Sequence, residues 1–192
     1  MACQVDSPSA ESGSSKPGLS QAYVHVYTGG GKGKTTAALG LALRAIGHGL
    51  RVFVVQFLRG AHEAGELVMA QRLAPRLEIR PMGREAAVDP EAPDPVDVKW
   101  AADGLALAAN AMRKGLFDVV ILDDVNLAVR YGLVHVEQVL ELLDLRPAGV
   151  ELVLTGRDAH PELVAAADLV TEMTQIKHYH DMGVAPRDGI ER

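Results

Sequence analysis

Cysteine is almost absent from this sequence. One of its 192 residues, Cys3, is a cysteine, so no disulfide can form within the chain. This is typical of proteins in a reducing compartment and predicts a cytoplasmic location. No apolar run reaches the ~18 residues that a membrane span needs. The first residues, with Asp6 and Glu11, also lack the apolar stretch of a secretion signal. We therefore expect neither a disulfide-stapled fold nor a membrane protein.

Positively charged residues are also fewer than negatively charged ones. Lysine and arginine number 19 against 25 aspartates and glutamates, and the net charge of −6 makes nucleic acid an unexpected partner. Apolar residues make up 48% of the chain, which is enough for a core of one domain. Residues 1–20 are rich in Ser, Gly, Pro and Ala and are predicted to be disordered. The folded domain is therefore predicted to span residues 21–192.

Strand-like and helix-like segments alternate through this domain. Continuous apolar blocks such as Val52–Val55 and Val119–Leu122 suit strands buried on both faces of a parallel sheet. The pattern predicts a three-layer α/β fold with a mostly parallel sheet. Together with the glycine-rich loop at residues 28–36, it predicts a fold of the P-loop NTPase-like (RecA-like) kind. The predicted strands are Tyr23–Tyr27, Arg51–Phe57, Leu77–Arg80, Asp118–Leu122, Val150–Leu154 and Leu169–Thr171. The predicted helices are Thr35–Ile46, Glu63–Leu73, Val96–Arg113, Val136–Leu143 and Pro161–Ala166, and the proline-rich stretch Pro81–Pro95 is predicted to be a loop.

A glycine-rich loop joins the first predicted strand to the first predicted helix. It resembles the phosphate-binding pattern G-x-x-x-x-G-K-[ST], with Thr28 in place of the first glycine. Loop N–H groups and the helix N-terminus attract phosphate, Lys34 can reach it as a point charge, and the Thr35 hydroxyl can bind Mg²⁺. The alternative is a glycine-rich turn with a surface lysine, but the strand–loop–helix context favours the phosphate site. The predicted nucleotide-binding residues here are Thr28, Gly29, Gly30, Gly31, Lys32, Gly33, Lys34, Thr35 and Thr36.

Two acids, Asp123 and Asp124, directly follow the apolar strand Val119–Leu122. An acid in this position holds Mg²⁺ in P-loop proteins, directly or through water. The alternative is a helix N-cap. We predict a metal role for the pair together with Thr35, and the sequence leaves open which acid is closer to the ion. In an NTPase, the second acid would also be a natural base for water.

Polar residues follow other strands at the same sheet edge, where ligands bind in such folds. Arg157 could neutralise phosphate charge, although a solvated surface arginine is the alternative. Gln56 could position substrate or satisfy backbone groups, and Arg44 on the first helix is a weaker candidate for nucleotide contact. His178 and His180 are spaced unlike a metal site and have no cysteine nearby. His25 and His48 are predicted to be structural, and Asp103, Asn110 and Arg113 to lie on the solvated side of their helix.

Beyond the loop, the chain resembles the P-loop corrinoid adenosyltransferases, in which threonine also replaces the first glycine of the loop. The resemblance covers residues 22–191. Its most specific parts are Lys32 between glycines, Thr155-Gly-Arg157 and Lys177-His178. The segments that carry it are Thr28–Ala37, Arg44–Gly49, Val55–Gly60, Ile121–Asn126, Leu154–Arg157, Ala167–Met173, Ile176–His178 and Gly189–Glu191.

This resemblance implies transfer of the 5′-deoxyadenosyl group of ATP to the cobalt(I) of a reduced corrinoid, with release of triphosphate, in adenosylcobalamin biosynthesis or salvage. Cobalt is the nucleophile, so the protein positions substrates and neutralises charge. Lys34, Arg157 and Asp124 would be the catalytic residues, and Asp124 would act as a metal or nucleotide ligand rather than as a base. The resemblance also implies ATP and Mg²⁺ as cosubstrate and cofactor, a reductase or reduced flavoprotein as partner, and a homodimer.

The sequence departs from this family at three places. The family often has glutamate at the position of Asp124, and its tail commonly ends in tyrosine where this chain has Arg192. It often has Gly-Phe, sometimes with a nearby Trp, where this chain has Gly83–Ala87 without an aromatic residue. Those aromatics are implicated in displacing the lower cobalt ligand. Trp100 or Tyr179 are candidates to replace them.

Two other functions share part of this pattern. A P-loop ATPase or kinase acting on another small molecule would need the loop and the acid pair, but not the Thr-Gly-Arg and Lys-His segments. A carrier of corrinoid or nucleotide would be consistent with the missing aromatics. Their products separate them: triphosphate for the transferase, ADP and phosphate for the ATPase or kinase, and binding without turnover for the carrier.

Overall fold

The computed structural model describes residues 18–60 and 64–191, and they form a parallel sheet flanked by helices. The strands are β1 (Val24–Thr28), β2 (Val52–Phe57), β3 (Leu77–Met82), β4 (Val119–Asp123), β5 (Glu151–Thr155) and β6 (Leu169–Glu172). The helices are α1 (Lys34–Gly47), α2 (Gly65–Leu73), α3 (Pro95–Arg113), α4 (Val125–Arg130), α5 (Val136–Asp144) and α6 (Pro161–Ala166), and a short 3₁₀ helix spans Tyr179–Met182. The strand order is β3-β2-β4-β5-β1-β6, and every neighbouring pair is parallel. The predicted three-layer α/β architecture is therefore confirmed.

The two faces of the sheet carry different helices. Small residues of α1 and α2, such as Ala38, Ala42 and Ala70, pack against one face of the sheet. A second and larger hydrophobic cluster packs α3, α4, α5 and α6 against the other face, through residues such as Leu105 and Val139. Because both faces are covered, every residue of β2 and of β4 is buried. The apolar blocks that predicted these strands are therefore explained by burial on both sides.

Several boundaries differ from the sequence-based predictions. Pro81 belongs to β3, which is an edge strand and can tolerate a residue without an N–H group. Pro95 is the first residue of α3, where its fixed φ suits a helix start, and Asp94 caps that helix. The predicted loop therefore shrinks to residues 83–94. The six-residue helix α4 was not predicted as a separate helix. The prediction of disorder for residues 1–20, the predicted helix start at Glu63 and the departure at Arg192 fall mostly or wholly outside the described residues.

The topology places the candidate residues on one edge of the sheet. All six strands run the same way, so the turns after β1, β2, β4 and β5 open at the same edge. β5 lies between β1 and β4, and therefore separates the glycine loop from the acid pair by one strand. Ligands of parallel α/β sheets bind beyond this edge.

Candidate functional site

The glycine loop folds against the segment that follows β6. The N–H of Gly31 donates to the carbonyl of Met173 at 2.7 Å, and the N–H of Met173 donates to the carbonyl of Thr28 at 2.9 Å. A Cβ atom on Gly29 or Gly31 would lie 2.5 or 2.7 Å from the Met173 carbonyl oxygen. These glycines are therefore needed for close backbone approach as well as for the curl of the loop.

Lys34, the first residue of α1, is held inside the loop. Its residue exposure is 8%, and its Nζ donates to the carbonyls of Gly29 and Gly31 at 2.8 and 2.7 Å. Burial, and next the positive charge of Arg157, lower the pKa of the Lys34 ammonium. The two carbonyls carry only partial negative charge. A phosphate at this loop would give the Lys34 ammonium a fully charged partner.

Asp123 connects the loop to the acid pair. Its Oδ1 accepts hydrogen bonds from the hydroxyls of Thr35, at 2.8 Å, and Thr155, at 2.7 Å, and the residue is 1% exposed. The Gln56 amide donates to its Oδ2 at 3.4 Å. Gln56 is therefore a buried hydrogen-bonding partner of this acid, and Asp123 is fixed in orientation on both of its oxygens.

Asp124 faces the cleft. It adopts a left-handed backbone conformation with φ 63°, and its N–H donates to the Thr155 hydroxyl at 2.9 Å. It occupies the N-cap position of α4, yet its side chain makes no capping hydrogen bond. Its side chain is 22% exposed, and burial, followed by the charge of Asp123, raises its pKa to about 6. The carboxylate therefore lies at the cleft, where the charges of Arg59, Lys34 and Arg157 only partly offset the effects of burial and of Asp123.

Arg157 follows β5 and lines the same cleft. Its positive charge contributes to the lowered pKa of Lys34 and opposes the raised pKa of Asp124. The turn that carries it is tied to the glycine loop, because the Ala159 N–H donates to the Thr28 hydroxyl at 3.0 Å. The threonine at the first position of the loop thus has a structural task that a glycine could not perform.

The cleft has a volume of about 1090 Å³. This is at the upper end of the ~300–1,000 Å³ common for small-molecule sites, so it has room for more than a nucleotide. The predicted residues that line it are Gly30, Gly31, Lys32, Gly33, Lys34, Thr35, Thr36, Asp124 and Arg157. Four predicted residues are not among its lining: Thr28, Gly29 and Asp123 lie behind the wall, and Arg44 is exposed on α1.

The cleft also contains residues that the sequence did not single out as site residues. Arg59 lies just beyond β2 and Glu66 in the first turn of α2, and their side chains pair at 3.3 Å. Arg59 could have been noticed because it follows a strand at the binding edge. Glu66 could not, because the predicted start of α2 at Glu63 placed it further along that helix.

Aromatic rings enter the cleft at Tyr131 and His178, whereas Trp100 and Tyr179 are not among the lining residues. The imidazole of His178 caps the 3₁₀ helix by accepting from the His180 N–H at 3.0 Å, and its ring lies 4.7 Å from that of Tyr179. His25 pairs with Glu151 at 2.7 Å and belongs to the sheet, as predicted for a structural histidine. Within residues 18–60 and 64–191, no group of three or more His, Cys, Asp and Glu side chains could hold a metal ion.

No helix in the described ranges is both long and apolar enough to cross a membrane. Asp103 and Arg113 are exposed on α3, as predicted, and Asn110 is half-buried.

Comparison with known proteins relates this chain to a single family. A model of the family described as ATP:corrinoid adenosyltransferase BtuR/CobO/CobP matches residues 20–192. A corrinoid adenosyltransferase of Pseudomonas aeruginosa is 35% identical over 166 residues, which cover 86% of this chain and 81% of the relative. A corrinoid adenosyltransferase of Escherichia coli K12 is 34% identical over 168 residues, covering 86% and 83%. The corrinoid adenosyltransferase CobA of Salmonella typhimurium is 35% identical over 167 residues, covering 86% and 83%.

Proposed function

This chain belongs to the ATP:corrinoid adenosyltransferase family, and from the geometry of its cleft we propose how it carries out the transfer. The glycine loop holds the triphosphate of ATP, and the adenosyl group passes to the cobalt(I) of a reduced corrinoid in the remaining space of the cleft. The observation that carries this proposal is the convergence of Lys34, Thr35, Asp124 and Arg157 on the wall of one cleft.

In this proposal, cobalt(I) supplies the electron pair that forms the new bond to the ribose 5′ carbon. The bond between that carbon and the triphosphate oxygen breaks, and triphosphate leaves with the bonding electrons. Negative charge therefore grows on the departing oxygen. Lys34, which now contacts the carbonyls of Gly29 and Gly31, and Arg157 stabilise that charge, and this is where preorganised cations have their largest effect on rate.

The donor set fits Mg²⁺. The Thr35 hydroxyl and the carboxylates of Asp123 and Asp124 are oxygen ligands. The pKa of Asp124 is raised because burial and the charge of Asp123 outweigh the nearby cations, and a bound Mg²⁺ would offset both effects. Thr35 and Asp124 would hold the ion, with Asp123 orienting the Thr35 hydroxyl. When bound, Mg²⁺ would add positive charge at the triphosphate. Because the reaction needs no activated water, Asp124 serves as a ligand here and not as a general base.

The remaining predicted nucleotide contacts fall into two groups. Gly30, Lys32, Gly33 and Thr36 line the cleft and are proposed to bind phosphate directly. Thr28, Gly29 and Asp123 support the loop from behind. Arg44 remains the weakest member of the set, because its exposed position on α1 gives it no place in the cleft wall.

Four further features complete the proposal; the cytoplasmic location follows from the scarcity of cysteine, and the other three follow from the family resemblance. The protein would act in the cytoplasm, it would form a homodimer, and a reductase or reduced flavoprotein would supply cobalt(I). The product would enter adenosylcobalamin biosynthesis or salvage.

An anaerobic assay with ATP, Mg²⁺ and chemically reduced cobalamin tests this function. We expect loss of the cobalt(I) absorbance together with one triphosphate for each adenosylcobalamin formed. Release of ADP and phosphate without adenosylation would establish an ATPase or kinase instead. Tight binding of both substrates without product would establish a carrier.

A further inference from the structure

Arg59 lies between two carboxylates at the cleft wall, and the reaction described above does not use it. Its Nη1 donates to Oε1 of Glu66 at 3.3 Å, and its Nη2 lies 3.7 Å from Oδ2 of Asp124. The side chain is 39% exposed and lines the cleft together with Lys34 and Arg157. Arg59 is therefore a further cation at the site, in addition to Lys34 and Arg157.

The backbone conformation around Arg59 is fixed by its surroundings. Leu58, immediately before it, has φ 62°, a conformation that costs energy for a residue other than glycine and persists only where the surroundings impose it. Across the sheet edge, a Cβ on Gly83 would lie 2.6 Å from the Arg59 nitrogen. The turn after β3 thus packs directly on this peptide, so the direction in which Arg59 leaves the backbone is fixed by the fold.

Its two partners are held differently. Glu66 is anchored by the buried Gln56, whose amide donates to the same Oε1 at 3.1 Å. The contact with Asp124 is longer than a hydrogen bond and is an ion pair only. Of the five N–H groups of the guanidinium, one donates to Glu66. Within residues 18–60 and 64–191 the guanidinium makes no other hydrogen bond, so the rest of the fork can bind a planar or tetrahedral anion in the cleft.

We propose that Arg59 is a further triphosphate-binding residue. It keeps its bond to Glu66 and exchanges the longer contact with Asp124 for phosphate oxygens of the bound nucleotide. It then joins Lys34 and Arg157 in neutralising the departing triphosphate. This inference rests on the proposed function, because it takes the glycine loop as the triphosphate site.

Equilibrium binding of inorganic triphosphate with Mg²⁺, measured by calorimetry, tests the proposal without turnover. Arg59→Gln is expected to weaken triphosphate binding about tenfold or more, since charge-assisted hydrogen bonds are the strong ones. Arg59→Lys should fall in between, because it keeps the charge and loses the fork. Arg80→Gln is the matched control: it removes the same charge from an exposed arginine of β3 that pairs with Glu78 outside the cleft. It should bind triphosphate like the wild type.

Glu66→Gln separates a binding role from a structural one. It removes a negative charge beside the guanidinium but keeps an amide oxygen that can accept the Arg59 hydrogen bond, so triphosphate should bind at least as tightly as to the wild type. In the structural alternative, Arg59 only holds α2 to the end of β4. Glu66→Gln should then weaken triphosphate binding as much as Arg59→Gln does, and that result would overturn the proposal. Wild-type affinity in Arg59→Gln would overturn it as well and leave the proposed function standing. A wild-type protein that does not bind triphosphate would instead overturn the proposed function and this inference together.

Discussion

The hydroxyl of Thr35 donates to Oδ1 of Asp123 at 2.8 Å. This single bond joins the start of α1 to the end of β4, across the intervening strand β5. The hydroxyl of Thr155, on β5 itself, donates to the same oxygen at 2.7 Å. The three strands that carry the glycine loop, the acid pair and Arg157 are thus fixed to one another at one carboxylate oxygen.

Removing the Lys34 ammonium should abolish most turnover. Lys34→Ala is expected to lower kcat by on the order of 10²–10³, because it removes a charge that the departing triphosphate requires. The measurement is adenosylation of chemically reduced cobalamin under saturating ATP. Lys99→Ala removes an equivalent charge from an exposed i,i+4 pair with Asp103 and should be unaffected. Near-normal kcat in Lys34→Ala would refute the phosphate-loop mechanism.

The two acids should respond differently to neutralisation. Asp124→Asn is expected to raise the Mg²⁺ concentration for half-maximal activity more than Asp123→Asn, because Asp124 faces the cleft and Asp123 lies behind it. Asp123→Asn should instead lower stability by about 1–3 kcal/mol, since an amide replaces a buried acceptor of two hydroxyl hydrogen bonds. Titration with Mg²⁺ and urea unfolding of both variants measure the two effects. Equal Mg²⁺ responses would contradict this division of roles.

The free energy of unfolding of the metal-free protein should depend on pH because of Asp124. Its pKa is raised from 3.8 to about 6 in the folded state. Between these two pH values the folded protein retains a proton that the unfolded chain releases, so this group makes stability fall as pH rises. Below about pH 4 and above about pH 6 its contribution levels off.

The comparison with Asp124→Asn isolates this effect from other titrating groups. Urea unfolding in the presence of a chelator, at intervals from pH 4 to pH 7, should show wild-type stability falling relative to the variant as pH rises. A difference between the two proteins that does not change with pH would show that the Asp124 pKa is not raised.

Thr28 should matter for the position of Arg157. Thr28→Ala removes the acceptor of the Ala159 N–H, which should cost about 1 kcal/mol of stability and lower kcat severalfold. Thr28→Ser keeps the hydroxyl and is the matched control. Thermal unfolding and the adenosylation assay measure both quantities. If Thr28→Ala behaves like Thr28→Ser, then the tie between the two turns has no role in the site.

Local signals account for the parts of the site that the sequence could predict. Lys34 and Thr35 were predictable because a strand, a glycine loop and a helix lie next to one another in the chain. Asp123 and Asp124 were predictable because they end a fully buried strand. Arg59 follows a strand at the binding edge and could have been noticed, but its contact with Glu66 could not, because it depends on the backbone path just after β2. That path depends on a left-handed Leu58 and on close contact with Gly83, which no local pattern encodes.

In the fold, too, local patterns predicted some features, and contacts between distant segments determine the others. Apolar segments predicted all six strands. The pattern is strongest in β2 and β4, which are buried throughout, whereas β6 is exposed along its length. The strand order could not be predicted, because it depends on pairing between distant segments. Helix α4 was missed because it follows β4 directly and its N-cap residue makes no capping hydrogen bond, whereas the equally short α6 begins with a proline. Pro81 was placed in a loop because proline seldom occurs in strands, but the edge position of β3 removes that restriction.

The pairing of Gly31 with Met173 has a consequence for biosynthesis. The glycine loop is translated early, whereas the backbone that completes its shape follows β6, near the other end of the domain. A ribosome must therefore have made residue 173 before the loop can adopt its finished form. The finished form of the ATP-binding loop therefore cannot precede synthesis of most of the domain.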